Sequence, residues 1–262
     1  MVFLEQLFLS FKYYGETFRF IDRHNLYGLF ILPAILSLGT TLFIGWLAWK
    51  TGEEVIIYLF SFFNFRELSG FWGEMLEFIF RMVIRVLTVI FYLKVFRYSL
   101  LLVLTPSLMW ISRRIQSIAL GQAPEISLNL WVRNIFRSMK IAILNFVFDI
   151  FATGLILLIV IILTWLAPLA AFAIFFEESY FLGYAMIYYR NQFLNLSVKE
   201  SRTIIQRNMG LALGNGICFN IVLLIPLIGV MTAAVLALIA AGISIDEVEK
   251  RNNHAHPIHQ PL

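Results

Sequence analysis

The chain is 262 residues long, 60% hydrophobic and only 14% charged, with a mean hydropathy of +0.83. A soluble domain is about 45–50% apolar and about 25% charged, so a soluble fold is excluded, and 26 Phe, 10 Tyr and 6 Trp exclude disorder. The net charge of +4 reads as Lys and Arg held on the cytoplasmic side of a membrane, not as a nucleic-acid surface, and the single cysteine, Cys218, permits no disulfide framework or zinc cluster.

Residues 2–23 carry Phe3, Leu4, Leu7, Phe8, Phe11, Tyr14 and Phe18 on one helical stripe and Glu5, Lys12, Glu16, Arg19 and Arg23 on another. This predicts an amphipathic helix, lying in the membrane interface or packed on partner helices. Residues 26–49 are 24 in a row without a charge, enough to span a bilayer, with Pro33 in the first turns and Trp46 and Trp49 at the far end. Residues 50–73 carry Lys50 and Arg66 against Glu53, Glu54 and Glu67 and read as an external loop, with Trp72 at the return into the membrane. A second long segment covers residues 74–104. A short helix with Arg113 and Arg114 and a loop from Gly121 to Pro124 follow it. Between 94 and 140 seven basic residues face one acid, Glu125, which places this stretch in the cytoplasm.

Two apolar hairpins come next, at residues 141–189 with a turn at Pro168 and at 209–244 with a turn at Pro226. Between them Ser197-Val198-Lys199-Glu200 forms a capping box that opens a basic helix with Arg202 and Arg207. A second Ser-x-x-Glu, Ser244 to Glu247, is expected to cap a short tail helix, and His254, His256 and His259 fall in a polar tail. The arms of the second hairpin hold about 16–18 residues against the ~20 of a straight span. Charge counting leaves open whether the hairpins dip into the bilayer or cross it. The expected fold class is an all-α integral membrane protein with two long transmembrane helices, two apolar helical hairpins and amphipathic interfacial helices. The expected organisation is an interfacial helix at 1–25, one membrane domain at 26–245 and a polar tail at 246–262, with both termini cytoplasmic.

Chemistry concentrates on the second long segment. Glu74, Glu77, Arg81, Arg85, Thr88, Tyr92 and Ser99 share one face at 100° per residue, opposite Phe, Ile, Val and Leu. A polar stripe on a spanning helix must meet protein or water, and Glu77 to Arg81 is a well-oriented i,i+4 pair. Two readings stay open. Arg81 and Arg85, with the hydroxyls of Thr88 and Tyr92, line an anion path in which guanidinium groups replace the water around an oxyanion. Alternatively the stripe is ionic glue between helices or subunits. Asp149, Glu177 and Glu178 are further buried carboxylates, expected to neutralise Arg81 or Arg85 or to act as a proton-coupled group. Because Glu177 and Glu178 are adjacent, at most one of them is expected to face a given partner.

Arg133, Arg137 and Lys140 share a face suited to lipid headgroups or to anion steering. Gly210, Gly214 and Gly216 suit close helix packing, and Asn215 and Asn220 suit hydrogen bonds across helices. No metalloprotease, serine-hydrolase, P-loop or dinucleotide motif occurs, so no enzyme, metal or cofactor is expected.

The sequence resembles the sulfate permease CysZ and its relatives, which include the etoposide-induced membrane proteins. The resemblance rests on residues 180–189 (YFLGYAMIYY), 207–216 (RNMGLALGNG) and 224–229 (LIPLIG), on the small residues Ala240, Ala241 and Gly242, and on Leu104-Thr105-Pro106. It implies sulfate uptake without ATP hydrolysis, two long spanning helices with two partly penetrating hairpins, and homo-oligomeric assembly in the bacterial inner membrane. The family's Pro-Gly-Leu-Arg-Arg-like sulfate-binding turn corresponds here to residues 24–28, which keep Leu26 and lack both arginines. Backbone donors at Asn25 and Leu26 remain, with Arg19 or Arg23 as a substitute cation. The expected function is a permease for a small inorganic oxyanion such as sulfate. The alternative is a membrane scaffold of the same fold that binds lipids.

Overall fold

A computed structural model describes residues 3–62, 71–121 and 128–255. The described residues are helical throughout and contain no strand. In chain order the helices are α1 (Phe3–His24), α2 (Ile31–Phe62), α3 (Phe71–Leu120), α4 (Leu128–Ile162), α5 (Ala167–Phe193), α6 (Val198–Arg207), α7 (Met209–Leu223) and α8 (Ile228–Ala255). A 3-10 turn, Leu26–Phe30, leads into α2, and a second, Thr164–Leu166, joins α4 to α5. Five helices (α2, α3, α4, α5 and α8) are long and apolar enough to cross a membrane, while α7 is a shorter apolar helix. The expected external loop is shorter than the charge pattern suggested, since residues 50–62 continue α2 and 71–73 open α3; residues 63–70, the loop beyond Gly121, and His256 and His259 of the tail lie outside the described residues.

The long helices come from long apolar runs that two prolines do not interrupt. Pro33 sits in the first turn of α2, where no backbone donor is missed. Pro106 lies deep inside α3, yet the helix continues for 50 residues, about 75 Å at 1.5 Å per residue. The hydroxyls beside it turn back onto the helix, Thr105 Oγ1 donating to the Leu101 carbonyl at 2.8 Å and Ser107 Oγ to that of Leu104 at 2.8 Å. The separate helix expected around Arg113 and Arg114 is therefore the last part of α3.

The core forms where the C-terminal halves of α3 and α5 meet α1, α7 and α8. Leu100, Leu101, Leu104, Leu108, Met186, Ile187, Leu211 and Phe219 are all sealed there. Small residues let the backbones close up. A Cβ on Gly216 would overlap the Ser179 carbonyl oxygen of α5, and one on Gly183 would overlap the Ala212 carbonyl oxygen of α7. Gly210 and Gly214 face α1, where a Cβ would strike Phe3 O and Ser10 Oγ respectively. Asn215 Nδ2 donates to the Ala237 carbonyl of α8 at 2.9 Å, and Asn220 Nδ2 donates to Ser179 Oγ of α5 at 2.9 Å. Pro226 stands at the exposed turn between α7 and α8, next to Leu227, whose φ is 60°.

Two terminal elements need separate description. In α1 the buried face is Gln6, Leu9, Ser10, Tyr13, Tyr14, Thr17 and Ile21, while Phe3, Leu4, Phe8, Phe11 and Phe18 point outward. The helix thus packs on α7 and α8 with its less apolar side and leaves an aromatic stripe free for lipid. In α8 no cap interrupts the helix at Ser244, whose hydroxyl donates back to the Ala241 carbonyl at 3.2 Å. The separate tail helix expected from Ser244 and Glu247 is a continuation of α8.

Candidate functional site

Two charged regions lie along α3. In the outer one, Arg81 donates to Glu77 at 2.7 Å, and both side chains are nearly half exposed, at 48% and 44%. Arg85 is exposed beside Met82, Val86 and Val89, and makes no ion pair among the described residues. Thr88 is buried and donates to the Ile84 carbonyl at 2.8 Å. The Tyr92 and Thr51 hydroxyls are 2.6 Å apart and tie α3 to α2. Arg81 and Arg85 thus stand on the outer surface of this chain.

The inner region lies a few turns on and is buried. Lys94 Nζ, 3% exposed as a side chain, is 2.7 Å from Asp149 Oδ2 of α4, 3.0 Å from Glu178 Oε1 and 3.7 Å from Glu177 Oε2 of α5. Arg97 pairs with the other oxygen of Glu178. Thr153 Oγ1 donates to Glu177 Oε2 at 3.1 Å. Helical spacing puts Lys94, Arg97 and Tyr98 on one face of α3, and Asp149 and Thr153 one turn apart on α4. Buried charge of this kind persists only when it is paired and hydrogen-bonded.

The partners expected for the carboxylates are corrected here. Asp149, Glu177 and Glu178 serve Lys94 and Arg97, not Arg81 or Arg85. Both adjacent glutamates reach the same ammonium, because the four-carbon lysine stem places Nζ between them. Lys94 and Arg97, which sequence counting assigned to the basic cytoplasmic stretch, belong to this core.

A second buried network was not anticipated. Arg190 of α5 donates from Nε to Asp246 Oδ1 at 2.9 Å and from Nη2 to Glu249 Oε2 at 2.6 Å, both on α8, and Gln116 of α3 donates to the same aspartate at 3.3 Å. Its sequence signal was faint: an arginine after two tyrosines, and acids read as tail. Arg137 is also held, donating to Tyr188 OH at 2.9 Å and to the Leu196 carbonyl at 2.5 Å, whereas Arg133 and Lys140 are exposed.

At the turn before α2, Asn25 adopts the left-handed conformation with φ 52°, Leu26 is buried and Arg23 is exposed. Tyr27 donates to the Asp22 carboxylate beside it. The capping box on α6 is complete: Glu200 N donates to Ser197 Oγ at 3.2 Å and Ser197 N to Glu200 Oε2 at 2.7 Å. The Ser197 backbone N–H, with its hydroxyl, holds the Glu200 carboxyl below its ordinary range. Among the described residues no His, Cys, Asp and Glu converge as metal ligands would.

The family described as sulfate transporter CysZ/Etoposide-induced protein 2.4 matches residues 13–233, most of the chain. The chain belongs to that family. No curated protein matches it. The CysZ family is one of membrane transporters, not enzymes, and together with the five apolar helices it makes this chain an integral membrane protein. The match covers every helix of the inner cluster and stops within α8, before Asp246 and Glu249.

Proposed function

We propose that the protein is a permease for a small inorganic oxyanion, sulfate being the first substrate to test. Membership of the CysZ family over residues 13–233 carries this reading. The outward arginines of α3 support it. A guanidinium at the bilayer centre costs about 2.5–3.5 kcal/mol on insertion scales, so it needs protein or water beside it. With Arg81 and Arg85 on the outer face, the path runs where α3 meets another copy of the chain, and the assembly is a homo-oligomer. Guanidinium groups replace the anion's hydration there, and the weak, half-exposed Glu77 pair gives way to it.

The same reading takes α2 and α3 as the long spans, lets the α4–α5 and α7–α8 pairs enter the bilayer in part, and sets both termini in the cytoplasm of a bacterial inner membrane. The aromatic stripe of α1 then lies on lipid. Asn25, Leu26 and Arg23 form the cytoplasmic mouth.

One observation favours a second reading. The turn at residues 24–28 has none of the arginines that the family's sulfate-binding turn carries, which fits a lipid-binding membrane scaffold. Uptake of labelled sulfate into proteoliposomes separates the two. Wild type is expected to take up sulfate, and an Arg81→Ala/Arg85→Ala variant of unchanged oligomeric state is expected not to. Absence of uptake for sulfate and for other oxyanions favours the scaffold.

A further inference from the structure

The inner cluster does not balance. Two cations, Lys94 and Arg97 of α3, face three carboxylates, Asp149 of α4 with Glu177 and Glu178 of α5. If every group is ionised, the cluster holds one uncompensated negative charge in the protein interior. The hydrogen bonds show the same shortfall. Asp149 Oδ1 and Glu177 Oε1 are both buried without a hydrogen-bond partner, and Asp149 has no exposed surface at all. Tyr98, one turn on from Lys94, is 5% exposed, and its hydroxyl also lacks a partner. Thr153 is already committed to Glu177 Oε2.

The Asp149 and Glu177 carboxyl groups converge on one ammonium, with Oδ2 and Oε2 standing 2.7 and 3.7 Å from Lys94 Nζ. One hydrogen held by this pair removes the excess charge and gives one of its two unpartnered oxygens a proton to donate. A metal cation fits less well, because the Lys94 ammonium already occupies the point where the carboxylates converge, and like charges so close repel strongly. We propose that Asp149 and Glu177 form a proton-binding site that holds one shared proton at neutral pH and fastens the α4–α5 pair to α3. The proton comes from bulk water and belongs to the pair rather than to either residue. Losing it leaves two adjacent carboxylates repelling each other across the joint between α4 and α5. The site stands whether or not the protein moves anions.

Infrared difference spectroscopy of the full chain in lipid nanodiscs, titrated from neutral to alkaline pH, tests this directly. Wild type is expected to show a protonated-carboxyl C=O band at neutral pH that shifts in heavy water and bleaches on alkalinisation. Glu177→Gln and Asp149→Asn each balance the cluster and are expected to lose the band, while Glu200→Gln on the surface keeps it. Thermal unfolding supplies a second readout. Wild type is expected to lose stability on alkalinisation, and Glu177→Gln to be flat over the same range. Folded wild type with no such band at neutral pH overturns the site, since water then satisfies the two oxygens. A band that survives in both variants, or a cluster that responds to sodium and not to pH, overturns it too. Because the band needs no transport, a silent permease that shows it leaves the site intact, and an active one that lacks it does not.

Discussion

The two charged regions of α3 both match basic side chains with carboxylates and end in opposite surroundings. The Glu77–Arg81 pair joins two residues of one helix and is nearly half exposed. The Lys94 cluster is sealed and draws its acids from 55 residues away on α4 and from 81 residues away, opposite Arg97, on α5. The difference lies in the neighbours. At the level of Arg81 and Arg85, α3 shows one side to the outside, whereas at Lys94 it is enclosed by α4 and α5. A stripe on one helix therefore reports that charge must be matched, and says nothing about whether the match comes from the same helix, another helix or another subunit.

This contrast can be broken by substitution. The largest effect is expected from Lys94→Ala, which strands three buried carboxylates with one cation; loss of one partner of a buried pair costs about 3–5 kcal/mol. Denaturant unfolding in detergent should show it, and an unchanged midpoint would mean the cluster is wet. Next comes Gly216→Ala, whose new methyl meets the α5 backbone. Overpacking costs about 1–3 kcal/mol, and Gly154→Ala on α4, with nothing within 4 Å, serves as the neutral control in the same unfolding assay.

Smaller again is Ser197→Ala, about 1 kcal/mol for a lost N-cap, read by amide exchange in α6. The box also sets a pH dependence. Because the folded state holds Glu200 below its ordinary range, its contribution is full above the unfolded Glu range. It is lost as pH falls through the lowered folded value, so the protection of the α6 amides relative to a free peptide at the same pH should fall in acid, and Glu200→Gln should remove that acid dependence. The smallest stability effect is expected from Arg81→Ala, about 0.3–0.5 kcal/mol for an exposed i,i+4 pair. A larger loss in the monomer would show that the outer stripe is structural glue.

Much of the fold could be read from local pattern. The α6 capping box, the amphipathic α1, the apolar runs and the hairpin turns at Pro168 and Pro226 all depend on residues a few positions apart. Asp149, Glu177 and Glu178 were legible as buried acids because each interrupts an apolar run. Their partners were not, since periodicity assigns a residue to a face without naming the helix opposite. Arg81 and Arg85 attracted attention because they share a stripe with glutamates, whereas Lys94 sits among apolar neighbours and looked like the start of a basic flank. Arg190 was missed for the same reason, as its acids lie 56 and 59 residues downstream.

The seat of α1 has a consequence for how the chain is made. Gln6 donates to the Arg207 carbonyl at 3.0 Å and accepts from the Gly210 backbone N–H at 3.1 Å, so the first helix is held by groups about 200 residues later in the chain. At about 5–20 residues per second, a ribosome delivers those groups roughly 10–40 s after α1 has emerged. Throughout that interval the Gln6 amide lacks these partners, while Ser10 and Thr17 turn their hydroxyls onto the Leu7 and Tyr13 carbonyls of α1 itself. The outward phenylalanines give the nascent helix somewhere to wait: it can rest on the bilayer by its aromatic side, its polar side in water, until α7 and α8 arrive to cover it.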